Sequence, residues 1–169
     1  MTAITIRPEA AGDETAIHAL TAAAFEGTAH SNGNEPAIID ALRSDGDLSW
    51  SLVAETEDRL VGHIAFSPVT ISDGTSNWYG LGPVSVLPEL QGQRIGFRLV
   101  QRGIADMRQK NACGIVLMGD PIFYGRFGFE HDPVLTYSGA PATYFQRLVL
   151  DGDEPSGEVT YAKGFDATA

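Results

Sequence analysis

Residues 82–103 read GPVSVLPELQGQRIGFRLVQRG, and this stretch decides how the chain is built. The residues leading into it, Trp78–Val86 (WYGLGPVSV), read as a strand, and Pro88–Gly92 is a turn. Ile95, Leu99, Gly103, Ile104 and Met107 then recur at the spacing of a single helix face. The helix is expected to end near Asn111–Gly114. Ile115–Met118 (IVLM) follows as a short, wholly apolar run, the pattern of a strand covered on both faces.

Working outward toward the N-terminus, Ser49–Thr56 and Leu60–Ile71 are strands joined by the tight turn Glu57-Asp58-Arg59. With Trp78–Val86 they form an expected antiparallel meander. Glu35–Arg43 is a short helix with proline in its first turn. Residues 27–34 (GTAHSNGN) are a polar loop. Ile17, Leu20, Ala24 and Phe25 mark a first helix, with Asp13 as its expected N-cap. Thr2–Arg7, ended by Pro8, is an edge strand. On the C-terminal side, Gly119-Asp120-Pro121 opens a short helix, and Phe127-Gly128-Phe129 leaves it. Tyr144–Leu150 and Glu158–Ala162, separated by DGDEPSG, read as a closing hairpin. Neither a repeat nor a linker interrupts the pattern, so residues 1–169 are expected to form a single α/β domain, helices and strands mixed around a largely antiparallel sheet.

Composition bounds the function. Apolar residues make up 43% of the 169 and charged residues 20%, as in a folded globular chain. The net charge of −11 argues against nucleic acid or an anionic membrane as partner. No uncharged apolar stretch approaches the ~20 residues that cross a bilayer. The start MTAITIRPEAAGDE lacks the pattern of a signal peptide, and a lone cysteine, Cys113, suits a reducing compartment, so a cytoplasmic protein is expected. Against this acidic background, residues 91–110 hold Arg94, Arg98, Arg102, Arg108 and Lys110 against Asp106 alone. The rest of the chain carries 6 basic and 21 acidic groups.

A helix start bares backbone N–H groups at the positive end of the macrodipole, and anions settle there. Gly92 and Gly96 would let backbone approach such an anion without a Cβ between. Arg94 opposes the dipole at a cost of about 0.3–1 kcal/mol unless something negative is close by. Taken alone, the stretch reads either as a phosphate socket or as an ordinary solvated face. Neither GxxxxGK[ST] nor GxGxxG after a strand is present, so the nucleotide loops those patterns define are excluded.

The stretch GLGPVSVLPELQGQRIGFRLV, followed from Gly119 by GDPIFYGRFGFE, resembles the GNAT superfamily of N-acetyltransferases, in the branch of bacterial predicted acetyltransferases. Gln91-Gly92-Gln93-Arg94-Ile95-Gly96 matches the family's Q/R-x-x-G-x-G/A loop for the acetyl-CoA diphosphate, with Arg94 where glycine is usual. Tyr124 matches the recurrent tyrosine before a GF pair. The resemblance implies a strand splayed from its parallel neighbour Ile115–Met118, a gap filled by the pantetheine arm, and Gly119 at its mouth. It implies direct attack of an amine on acetyl-CoA in a ternary complex. Val84, Ser85 and Val86 would offer backbone groups to the cofactor, as would Gln91, Gly92, Gln93, Ile95 and Gly96, and Arg94 is predicted to engage a CoA phosphate. The acceptor would be a small amine or an exposed protein amino group, bound by a monomer or homodimer. A non-catalytic acyl-CoA sensor is the alternative reading.

Tyr124 is the candidate general acid, also contacting the cofactor. The carboxylate some relatives carry on the central strand is missing, which leaves Glu35 as the candidate base, with Glu26, His30 and His63 as further options. The other titratable residues read as structural. His63 lies mid-strand, Asp120-Pro121 is a helix cap, and His18, His131 and Cys113 belong to no constellation. The scattered histidines give no metal-ligand spacing, so no metal is expected.

Overall fold

A computed structural model describes residues 3–29 and 31–168. Among them, eight strands form a sheet in the order β1-β2-β3-β4-β5-β7, with β8 joined to β3 and β6 to β8. The strands are β1 (Thr5–Pro8), β2 (Trp50–Glu55), β3 (Leu60–Ile71), β4 (Trp78–Val86), β5 (Gly114–Met118), β6 (Leu135–Thr136), β7 (Phe145–Val149) and β8 (Gly157–Tyr161). The helices are α1 (Glu14–Phe25), α2 (Glu35–Ser44), α3 (Ile95–Gln109) and α4 (Pro121–Gly125). Pairing is antiparallel except between β4 and β5 and in the two-residue contact of β6 with β8. The expected mixed α/β architecture is therefore present, with β1 at the edge and β2-β3-β4 as the meander.

β3 runs through the middle and is buried almost throughout because both its faces are covered. Alternation sorts its side chains. Ile64 and Phe66 belong to the core under α3, with Leu99, Ile104 and Met107 from that helix. His63 lies on the opposite face, toward α1 and α2. Leu99 is fully buried, and truncating it to alanine would cost about 2–5 kcal/mol.

Two expectations fail. The tail is not a hairpin: β7 pairs β5 along all five positions from Gly114↔Val149 to Met118↔Phe145, and β8 pairs β3 where β2 has ended. Burial explains the separation. Ile115, Val116 and Leu117 are fully buried and need a partner on each side, and Phe145–Leu148 is a buried run that fits beside them. β8 alternates between exposed and buried positions, as suits an outer strand. Asp13 stands at the N-cap of α1 but makes no side-chain cap. Its carboxylate instead meets the Arg7 guanidinium at 2.8 Å and the Ala10 N–H at 2.8 Å. The stronger charge-assisted partner wins.

Candidate functional site at the fork between β4 and β5

β4 and β5 pair only from Trp78↔Gly114 to Gly80↔Val116. Beyond that point β4 continues to Val86 with β3 on one side, and β5 continues to Met118 with β7 on one side. Two backbone edges thus diverge. The divergence begins beside Gly82-Pro83, where β4 spends one more residue than β3 between Ile64↔Val84 and Phe66↔Leu81. Such a bulge bends the strand, and Pro83 has no N–H to give a ladder.

At the end of β4 the chain turns into α3 through exposed residues 91–94. Gly92 has φ +81° and Arg94 φ +67°, both left-handed. This conformation is why glycine suits the Arg94 position, and a side chain there costs about 1–2 kcal/mol. The Arg94 guanidinium lies over the Phe97 ring, 4.3 Å from its centroid. A cleft of about 400 Å³ opens here, its wall formed in part by Val86, Gln91, Gly92, Arg94, Ile95 and Gly96. Phe123 and Arg126, from the α4 segment, complete it.

A second cleft, about 320 Å³, lies on the other side of the strand end, between Val84, Val86 and Gln91 and the α1–α2 connection, where Phe25, Thr28 and Ser31 line it. Glu35 is not in its wall but stands one bond away. Ser31 Oγ donates to Glu35 Oε1 at 2.5 Å and accepts from the Gly33 N–H at 3.0 Å.

Tyr124 sits on α4 just past the end of β5. Asp120 caps this short helix by accepting the Ile122 N–H at 2.9 Å, with Pro121 in the first turn, as the sequence predicts. The Tyr124 ring lies against Gly119, where a Cβ would come within 2.3 Å of Cε2. Only glycine admits the ring so close to the strand end. Burial, with a smaller contribution from the Asp120 charge, pushes the Tyr124 hydroxyl up to about 12. Among the described residues no group hydrogen-bonds that hydroxyl.

Of the residues singled out from sequence, the fold brings Val86, Gln91, Gly92, Arg94, Ile95 and Gly96 to one cleft and Val84 to the other. Gln93 is exposed in the connecting loop. The Ser85 side chain is buried on the α1 face, 3.4 Å from Thr21 Oγ1. The Val86 carbonyl already accepts from Gln91 Nε2 at 3.1 Å. Ile95 turns its side chain into the core. For Ser85 and Ile95, then, only the backbone is available to a ligand. Glu26 is exposed at the C-terminus of α1. His63 is fully buried, 2.8 Å from Ser51 Oγ by Nε2, and desolvation, aided by the Arg43 charge, lowers it to about 3. It is a neutral structural histidine. His18 pairs with Asp40 at the surface, and His131 is exposed. His30 lies outside the described residues. Arg126, Phe97 and Phe123 escaped the sequence reading, because only tertiary packing gathers them. Phe123 and Arg126 lie in the FYGRFGF segment, and Phe97 lies in the first turn of the α3 stretch.

A cleft at a helix start, set against a fork in a mixed sheet, defines a class. The chain belongs to the GNAT acetyltransferase family: the acetyltransferase (GNAT) domain profile matches residues 5–131. Among its relatives, Escherichia coli K12 YhbS, described as an uncharacterized N-acetyltransferase, is 33% identical over 168 residues, spanning 95% of this chain and 98% of that protein. The crystal structure of E. coli YhbS in complex with CoA superimposes with a TM-score of 0.90 at 29% identity, covering 100% of this chain and 95% of that one. A GNAT acetyltransferase from Brucella melitensis in complex with acetyl-CoA gives 0.87 at 44% identity, covering 98% and 100%. Among the described residues no helix is long and apolar enough to cross a membrane.

Proposed function

We propose that the chain is an acetyl-CoA-dependent N-acetyltransferase that acts on a primary amine by direct attack, with Tyr124 and Glu35 as its proton-handling residues. The observation that carries this reading is the meeting of three features at one place: a forked strand pair, a cationic cleft at the α3 start, and an unpartnered Tyr124 hydroxyl at the end of β5. The cleft suits a diphosphate. The first turn of α3 bares its N–H groups, Gly92 keeps the backbone free of side chain, and Arg94 has no carboxylate partner among the described residues. The open edges of β4 and β5 suit the amides of a pantetheine arm. Acetyl-CoA would supply the activated acetyl thioester.

Glu35 handles the amine side through Ser31. Ser31 lines the second cleft and its oxygen has one lone pair left, so an amine proton taken there would displace the Ser31 proton onto Glu35. Val86 and Gln91 line both clefts, so an amine in the second cleft would reach the end of β4 from the α1 side while the cofactor phosphates occupy the cationic one. Tyr124 serves the leaving sulfur. With a pKa near 12 its proton is always present, but a thiol has a pKa of about 8.5, so complete transfer would cost roughly 5 kcal/mol. The hydroxyl therefore works chiefly as a hydrogen-bond donor to charge developing on sulfur. In a buried setting such a donor needs no reorganisation.

The test is thiol release from acetyl-CoA against a panel of small amines and peptides with free amino groups. Amine-dependent release with mass-verified N-acetyl product is expected. Tight binding of acetyl-CoA with no release from any member of the panel would identify a sensor instead.

A further inference from the structure

The α4 segment brings a cation to the cleft. Arg126, the residue that ends α4, places its guanidinium carbon 5.1 Å from the Phe97 centroid and 5.2 Å from that of Phe123. Arg94 occupies the same Phe97 ring at 4.3 Å. Two like charges are thus held at one aromatic ring, in the wall of one cleft. Five other arginines, Arg7, Arg43, Arg59, Arg102 and Arg147, meet carboxylates within 3.3 Å, and Arg98, which donates to the Ile4 carbonyl, and Arg108 lie outside the cleft wall. Neither Arg94 nor Arg126 has a carboxylate partner among the described residues, in a protein of net charge −11. Aromatic faces hold a guanidinium by weak cation–π attraction and leave its N–H groups free. Planar, bidentate recognition of phosphate is what such groups do best.

We propose that Arg126 is a second phosphate-binding arm, opposed to Arg94, that takes a phosphate of the nucleotide end of acetyl-CoA. This rests on the acyl-CoA reading above and adds a residue that the diphosphate loop does not contain. Phe97 joins the two arms. It stands in the first turn of α3 and packs on Phe127, just after α4, with centroids 4.7 Å apart. The loop that receives phosphate and the helix that carries Tyr124 therefore share one aromatic joint.

Dissociation constants of the full chain and of Arg126→Ala and Arg126→Gln, measured by titration without turnover, test the assignment. The ligands are acetyl-CoA, its 3′-dephospho form and S-acetylpantetheine. The glutamine variant keeps an uncharged stem on the rings, and ligand-free thermal unfolding of each variant monitors the fold. The expected result is acetyl-CoA binding weakened about tenfold and less steeply dependent on salt, with S-acetylpantetheine changed less than twofold. A loss confined to acetyl-CoA assigns the arm to the 3′-phosphate, and a loss shared with the dephospho form assigns it to the diphosphate. Equal losses for all three ligands, or none, overturn the proposal. Full activity of Tyr124→Phe or Glu35→Gln would sink that residue's proton-handling role without touching this one, whereas a wild-type chain that binds no CoA species overturns both.

Discussion

The two clefts that flank the end of β4 are built by different means. The one at the α3 start is made of backbone: a left-handed turn at Gly92 and Arg94, bared N–H groups and a strand edge, with arginines laid over rings. The one beside α1 is lined by the end of α1 and the loop that follows it, with Ser31 in the wall and Glu35, at the start of α2, one hydrogen bond behind. Backbone geometry tolerates sequence change, so the first cleft can receive the same ligand in many relatives. A wall of side chains changes with each substitution, so the second is where an acceptor would be chosen.

That contrast can be broken by mutation. The largest effect is expected from Tyr124→Phe, which removes one oxygen and leaves both clefts intact. Turnover should fall about 100-fold with acetyl-CoA affinity unchanged, read from steady-state rates and titration. Full turnover would remove Tyr124 from the chemistry. Glu35→Gln should lower turnover roughly tenfold, less than for a base in direct contact because it acts through Ser31, and acetyl-CoA affinity should stay the same. Weakened acetyl-CoA binding in that variant would erase the division between the clefts.

Arg94→Gly sharpens the comparison, because it keeps the backbone and deletes the arm. Acetyl-CoA affinity should drop about fivefold and depend less on salt, while the melting temperature holds or rises as left-handed strain of about 1 kcal/mol is relieved. Equal affinity would mean that backbone alone binds the phosphates. The last prediction concerns stability, at a buried residue that lines neither cleft. His63 binds its proton near pH 3 when folded and near 6.5 when unfolded. Between those values only the unfolded chain holds the proton, so stability should decline as pH drops below about 6.5 and stay level above it. The slope contributed is at most about 1.4 kcal/mol per pH unit. His63→Gln should show a shallower decline in thermal melts between pH 6.5 and 4.5, and an unchanged slope would refute the assignment.

Legibility followed the same division. The strand, turn and helix of residues 78–107 could be read from periodicity and from Gly92, since local conformation writes itself into local residue types. Tyr124 was singled out by the resemblance alone, through the GF pair that follows it. Arg126, Phe97 and Phe123 could not be read as a group, because their meeting depends on how α4 packs on α3. The tail misled for a related reason. Two strands separated by a turn-rich segment look like a hairpin, yet the free edge of β5 claims one and the far end of β3 claims the other. Partner choice in a sheet is a competition among edges, and a window of sequence sees only its neighbours.

The parallel contact between β4 and β5 spans three residue pairs, and α3 is the connection between those strands. A strand that must return in the same direction has to cross over, and here the helix that does so begins where its strand leaves the sheet. Topology alone thus sets an electropositive helix start beside an unfilled gap in the β-ladder. A lineage that keeps this crossover inherits the anion seat without selecting for it residue by residue. Innovation is then free to concentrate in the α1–α2 connection, whose replacement would retarget the enzyme and spare its donor.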